Sequence, residues 1–197
     1  MKINKFGCIL IVFVSYIFFK LIQESFLFNL KCINSDIDGK KYCVRERDNM
    51  SHAADRLATI NVKMQKLVKH CIDKYPKKSN MIRLSKGYNP KKIYETLPTS
   101  KHTAYSENKG EKLAFCLNDE KHDNNKLVNP NTLMFVAIHE LAHIATLSIG
   151  HNDEFWKNFK FLLEEAEKIG IYKQIDYKKN PVNYCGSKIA DNPYYDY

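Results

Sequence analysis

His139-Glu140-Leu141-Ala142-His143 sits inside an apolar stretch of the chain, and its spacing carries chemical meaning. Residues four apart share one helix face, so two imidazoles at this spacing can reach one ion together. Zinc accepts neutral imidazole nitrogen and holds four ligands in a tetrahedron. Glu140, next to the first histidine, is placed to polarise a metal-bound water, which is the layout of a zinc peptidase. So short a pattern needs support from its flanks. Met134, Ile138, Leu141, Ala145 and Ile149 follow one another at steps of four and three, which predicts a buried helical stripe over residues 133–149. Both histidines fall off that stripe, on a neighbouring face. Pro130, Asn131 and Thr132 supply a start signal and Gly150 a stop.

A catalytic zinc usually has three protein ligands and one water. His151 follows His143 by eight residues, and Gly150 can turn the chain so that His151 returns to the metal. A second helix is expected from about 152 to 168, with Phe155, Trp156, Phe159, Leu162, Leu163 and Ala166 as its apolar stripe and Gly170 as its end. Glu164 and Glu165 on that helix are rival ligands. Asp153 is better explained as a helix-start residue. The metal set expected is His139, His143 and His151, with Glu140 catalytic. Tyr172, Tyr177 and Tyr184 are the candidates for stabilising the oxyanion.

The run from His139 to His143, then Gly150-His151, then Phe155-Trp156, resembles the WLM and SprT-like metallopeptidases, and in particular uncharacterised members encoded by large DNA viruses. The turn Asn108-Lys109-Gly110-Glu111, the strand-like Phe115-Cys116-Leu117 and the tail Tyr184-Cys185-Gly186 share in it, so the likeness extends over about residues 40–190. It implies a zincin-like α+β fold, His139, His143 and His151 as zinc ligands, and Glu140 as general base. The interval from His143 to His151 is longer than is usual in WLM proteins. No C-x-x-C pair is present, so the zinc-ribbon tail of SprT-type proteins is absent.

At 197 residues the chain is one domain plus an appendage. The appendage is expected over residues 1–30, and the zincin-like peptidase domain over 31–197. Residues 6–19 carry no charge and are almost all apolar; after Lys20, Leu21 and Ile22 extend the run to about 25 Å of helix. No small-x-small cleavage site follows, so a signal-anchor transmembrane helix is favoured over a cleaved signal peptide. Lys2 and Lys5 precede the span, which puts the amino terminus in the cytosol and the peptidase domain on the opposite side of a virion or host membrane.

The net charge is +9. Residues 1–30 hold three of the lysines and one glutamate, so 31–197 keeps 28 basic against 21 acidic residues, a net +7. The basic residues are scattered; Lys77-Lys78, Lys91-Lys92 and Lys178-Lys179 are short pairs, and no nucleic-acid module is legible. Five cysteines in 31–197 cannot all pair with one another. Cys32 and Cys43 flank a turn-like segment and are either a hairpin clasp or reduced; Cys71 falls on a helical stripe and reads as a small buried hydrophobe.

The remaining periodicity predicts a short strand at 41–47 and a helix at 51–74. A connection over 76–102 contains one helical turn at 81–84, and strands at 103–107 and 111–117 form a hairpin. Such a hairpin in zincins supplies an edge strand to which a peptide can add. The whole reads as a membrane-anchored zinc peptidase acting on protein or peptide. Two alternatives remain open. One is a membrane-tethered binding protein with a structural zinc; the other is a WLM/SprT-like protease acting on DNA-bound proteins.

Overall fold

Helical periodicity builds the centre of the molecule. The computed structural model describes residues 5–25, 30–122 and 126–196. Helix α2 (Met50–Lys74) buries Ala53, Leu57, Ile60, Met64, Leu67 and Cys71 completely. Each fully buried aliphatic side chain there contributes about 2 kcal/mol. An amino-terminal cap is worth about 1 kcal/mol, and Asn49 makes no side-chain cap bond. Packing therefore holds this helix. Helix α3 (Ser79–Gly87) is longer than the single turn expected at 81–84, with Met81 and Leu84 as its buried residues.

A five-stranded sheet lies beside these helices. It comprises β1 (Lys31–Asn34), β2 (Lys41–Val44), β3 (Ile93–Glu95), β4 (Ala104–Glu107) and β5 (Lys112–Phe115) in the order β1-β2-β3-β5-β4. β1 pairs antiparallel with β2, β3 runs parallel to both β2 and β5, and β4 closes the sheet antiparallel to β5. β4 is thus an edge strand, as the hairpin expectation required. Strand β3 lies at the centre of the sheet yet has three residues, too few to show alternation.

β2 and β3 share one register pair, Cys43 opposite Tyr94. Buried charge reinforces it. Glu95 accepts from the Arg45 backbone N–H at 2.7 Å and from the Arg47 guanidinium, while Arg45 Nε donates to Thr96 O at 2.7 Å. Breaking such a buried set by removing one partner costs about 3–5 kcal/mol. Cys32 and Cys43, directly opposite in the β1–β2 pair, are disulfide-bonded, as are Cys116 and Cys185; Cys71 is a buried free thiol.

Helices α4 (Pro130–Ala145) and α5 (Asp153–Lys168) complete the core, α4 packing on α2, α3, α5 and β4. A small hairpin of β6 (Val182–Tyr184) and β7 (Ser187–Ile189), then α6 (Pro193–Asp196), end the chain. The expected α+β class holds.

The expected transmembrane helix does not. Helix α1 spans Lys5–Ser25, but among the described residues no helix is long and apolar enough to cross a membrane. The uncharged run at 6–19 lies between Lys5 and Lys20. Its 14 residues make about 21 Å of helix, against a hydrocarbon core of about 30 Å. The expectation of a single-pass membrane protein with its peptidase domain across the bilayer is corrected accordingly.

Candidate metal centre

α4 begins at Pro130, whose missing N–H costs nothing at that position, and Asn129 caps it by accepting from Asn131 N at 2.8 Å. Leu133, Met134, Ala137, Ile138, Leu141 and Ala145 are fully buried. This orients the helix so that His139 and His143, off the stripe, face a cleft of about 580 Å³. The helix ends at Ala145, a turn earlier than the periodicity predicts. Thr146 is extended, and its hydroxyl donates to Ala142 O at 2.7 Å. Ile149, expected on the buried stripe, is 91% exposed.

The chain then turns through Gly150, whose φ of 91° is a conformation that side chains disfavour. His151 comes back over the helix. Its Nε2 lies 3.0 Å from His139 Nε2, which lies 3.1 Å from His143 Nε2. The three side chains offer nitrogens all within 4.8 Å of one another. Phe155, fully buried on the first turn of α5, floors the group: its ring lies 4.4 Å from His143, 4.6 Å from His151 and 4.9 Å from His139. Asn152 caps α5 by accepting from Phe155 N at 3.1 Å, so the cap also sets the floor. Asp153 stands in the first turn, where an acidic side chain favours the helix dipole.

Electrostatics suit a cation. Burial, and then the proximity of His143 and His151, pushes His139 down to about 3. Burial, then His151 and Lys109, pushes His143 down to about 4. Both rings are therefore neutral near pH 7, with lone pairs available to a metal. Glu140 is 5% exposed, and burial raises its carboxyl to about 8.

The rival ligands lie elsewhere. Glu165 is buried where α5 meets α2. It bonds His70 Nε2 at 2.7 Å, Lys168 Nζ at 2.7 Å, Tyr75 Oη at 3.0 Å and Lys74 Nζ at 3.1 Å. Neither Glu164 nor Glu165 joins the histidine cluster. His122 is exposed.

None of the three tyrosines considered for the oxyanion lines the cleft. Tyr172 and Tyr177 pack against Phe135, and Tyr184 is buried with its hydroxyl donating to Thr103 O at 3.3 Å. Burial first, and then the Glu140 carboxylate, raises the Tyr184 phenol. The cleft wall opposite the histidines is instead His102, Ala104, Tyr105, Ser106, Asn108 and Lys109, from β4 and its flanks. Sequence reasoning found the strand but not these side chains, because their meaning depends on which edge of the sheet α4 meets.

Several known proteins are similar to this chain in sequence or fold. An uncharacterised protein of Acanthamoeba polyphaga mimivirus is 31% identical over 188 residues, covering 93% of each chain. An uncharacterised protein of Invertebrate iridescent virus 6 is 36% identical over 72 residues, 36% of this chain and 39% of that one. Among solved structures, the crystal structure of Wss1 from Saccharomyces cerevisiae aligns at a TM-score of 0.46 and 18% identity, covering 62% of this chain and 83% of that one. The WLM domain family matches residues 52–194, from the first turn of α2 into α6, a span that contains all three clustered histidines and Glu140. The chain belongs to the WLM domain family.

Proposed function

We propose that this protein is a zinc-dependent peptidase that binds the ion through His139, His143 and His151 and hydrolyses peptide bonds with Glu140 as general base. The observation that supports it best is the convergence of three imidazole nitrogens beside a buried carboxyl, in a cleft that runs along an open sheet edge. Zinc bound there would supply a nucleophilic water near neutral pH and polarise the scissile carbonyl. The chain's own groups do the rest. β4 offers unpaired backbone N–H and C=O groups to an extended peptide, which adds as a further strand and is held across the cleft. Glu140 takes a proton on a carboxylate oxygen and returns it to the leaving amine. Its apolar surroundings raise its proton affinity, which makes it a stronger base than an exposed glutamate.

A structural zinc reading is less well supported. Structural sites use four protein ligands, and among the described residues three side chains form the cluster. Glu140→Gln tests the proposal. It should keep zinc binding within about twofold and lower cleavage of an unfolded protein substrate by about a thousandfold. Undiminished cleavage removes Glu140 from the mechanism, and absence of zinc-dependent cleavage in the parent protein removes the activity.

A further inference from the structure

The segment that carries His151 to the site has no apolar anchor. Between Ala145 and His151 its large apolar side chains, Leu147 and Ile149, are 71% and 91% exposed. Polar contacts hold it instead. Asn158 Nδ2 donates to Thr146 Oγ1 at 2.9 Å, and Glu154 accepts from Leu147 N and Ser148 Oγ, each at 3.2 Å. Those partners come from α5, the helix that follows directly.

Two partners come from elsewhere in the fold, and the first, Arg83 on α3, donates to Ala145 O and to Glu154, each at 2.9 Å. The second, Lys109 in the β4–β5 turn, donates from Nζ to His143 O at 3.2 Å, Thr146 O at 2.9 Å and Ser148 O at 2.8 Å. An ammonium has three protons, so these carbonyls match its donor capacity. The first belongs to a clustered histidine at the carboxy-terminal end of α4, where carbonyls lack helical partners and a cation is favoured. The other two lie on the way to His151.

The turn presenting Lys109 is wedged in place. A Cβ on Gly87 would meet Lys109 O at 2.5 Å, and one on Gly110 would meet Gly87 O at 2.6 Å and Ile144 Cδ1 at 2.7 Å. Asn108 and Lys109 both take positive φ, 47° and 56°, to fit this space. The lysine is therefore delivered from a rigid turn rather than reaching in on a free loop.

The geometry points to Lys109 as a positioning residue for the metal: it locks the connection between His143 and His151 and so sets how tightly three histidines hold the ion. This rests on the zinc reading above.

The experiment uses the full chain and compares the parent with Lys109→Met, Lys109→Gln and Lys109→Arg. Zinc affinity is measured by chelator competition, the visible spectrum with cobalt(II) in place of zinc, and folding by melting without metal. In Lys109→Met, zinc affinity should fall about 10- to 100-fold, as for other residues that orient ligands from behind. The cobalt band should weaken as His151 is released and the ion gains water. Lys109→Arg should recover most of the affinity and the band, while the metal-free melting midpoints stay together. Unchanged affinity and cobalt spectrum in both Lys109→Met and Lys109→Gln would overturn the inference. So would loss of folding in both, since Lys109 would then support the fold rather than the ligand. A parent protein that binds neither zinc nor cobalt would instead refute the zinc reading itself.

Discussion

The two histidines on α4 and the one beyond it reach the same point by different physics. His139 and His143 ride on a helix whose opposite face is fully buried, so their direction follows from the 3.6-residue period and hydrophobic packing. His151 is exposed, on a connection held by donors and acceptors from α5 and the β4–β5 turn. Burial places the first pair robustly, since many side chains share the task. The third nitrogen depends on a few polar contacts, each of them removable by one substitution. Stability and metal affinity should therefore separate between the two segments.

The largest test of that separation is ligand removal. His143→Ala and His151→Ala should each lower zinc affinity about a thousandfold, near 4 kcal/mol, because each contributes one of three bonds. Only His143→Ala should also lower the melting midpoint without metal, since His143 is half-buried on a packed helix while His151 is exposed on the connection. Equal metal-free melting of the two variants would erase the contrast. A His151→Ala protein that holds zinc as firmly as its parent would end the three-histidine assignment.

Leu141→Ala comes next. Leu141 is fully buried between the histidines, and truncation of such a leucine costs about 3 kcal/mol. Denaturant unfolding of the metal-free protein should show this. By contrast Ile149→Ala, on the connection, should stay within about 0.5 kcal/mol in the same measurement.

Between these in size lies a pH effect on α5. Burial alone would raise Glu165, but bonds from Lys168, His70, Lys74 and Tyr75 outweigh it and hold the carboxyl at about 2. A folded-state value below the ordinary 4.5 means that the contribution is present above pH 4.5 and lost as pH falls toward 2. Glu165→Gln should thus cost about 2 kcal/mol near pH 7 and much less near pH 2, with zinc affinity unchanged. A change in zinc affinity would reopen the claim of this residue to the metal site.

The same division explains what could be read before the fold was seen. The stripes of α2, α4 and α5 repeat over four or more turns, so their faces and most of their bounds are legible in the residues. Strand β3 offers three residues and takes its meaning from neighbours 51 and 20 positions away, Cys43 and Ala114 among them. The period also carried α4 too far: Ile149 falls at the right step, but Thr146 turns the backbone out of the helix first. Apolar composition at 6–19 misled in the same way: counting on across Lys20 to Ile22 brings the run near the length of a span, whereas the uncharged part alone is too short for a bilayer. Lys109 was visible only as part of a turn. Nothing in its neighbours along the chain announces three carbonyls contributed by residues 143–148.

Trp156 is the chain's single tryptophan, and its indole ring lies 5.7 Å from His151 and 5.1 Å from Phe155. A fluorophore is therefore built into the flank of the least anchored histidine. Imidazole is a quencher whose strength depends on its protonation and on what its nitrogens bind. Emission from this one side chain should thus register ion uptake at the site without any label, and should fall silent to it in His151→Ala.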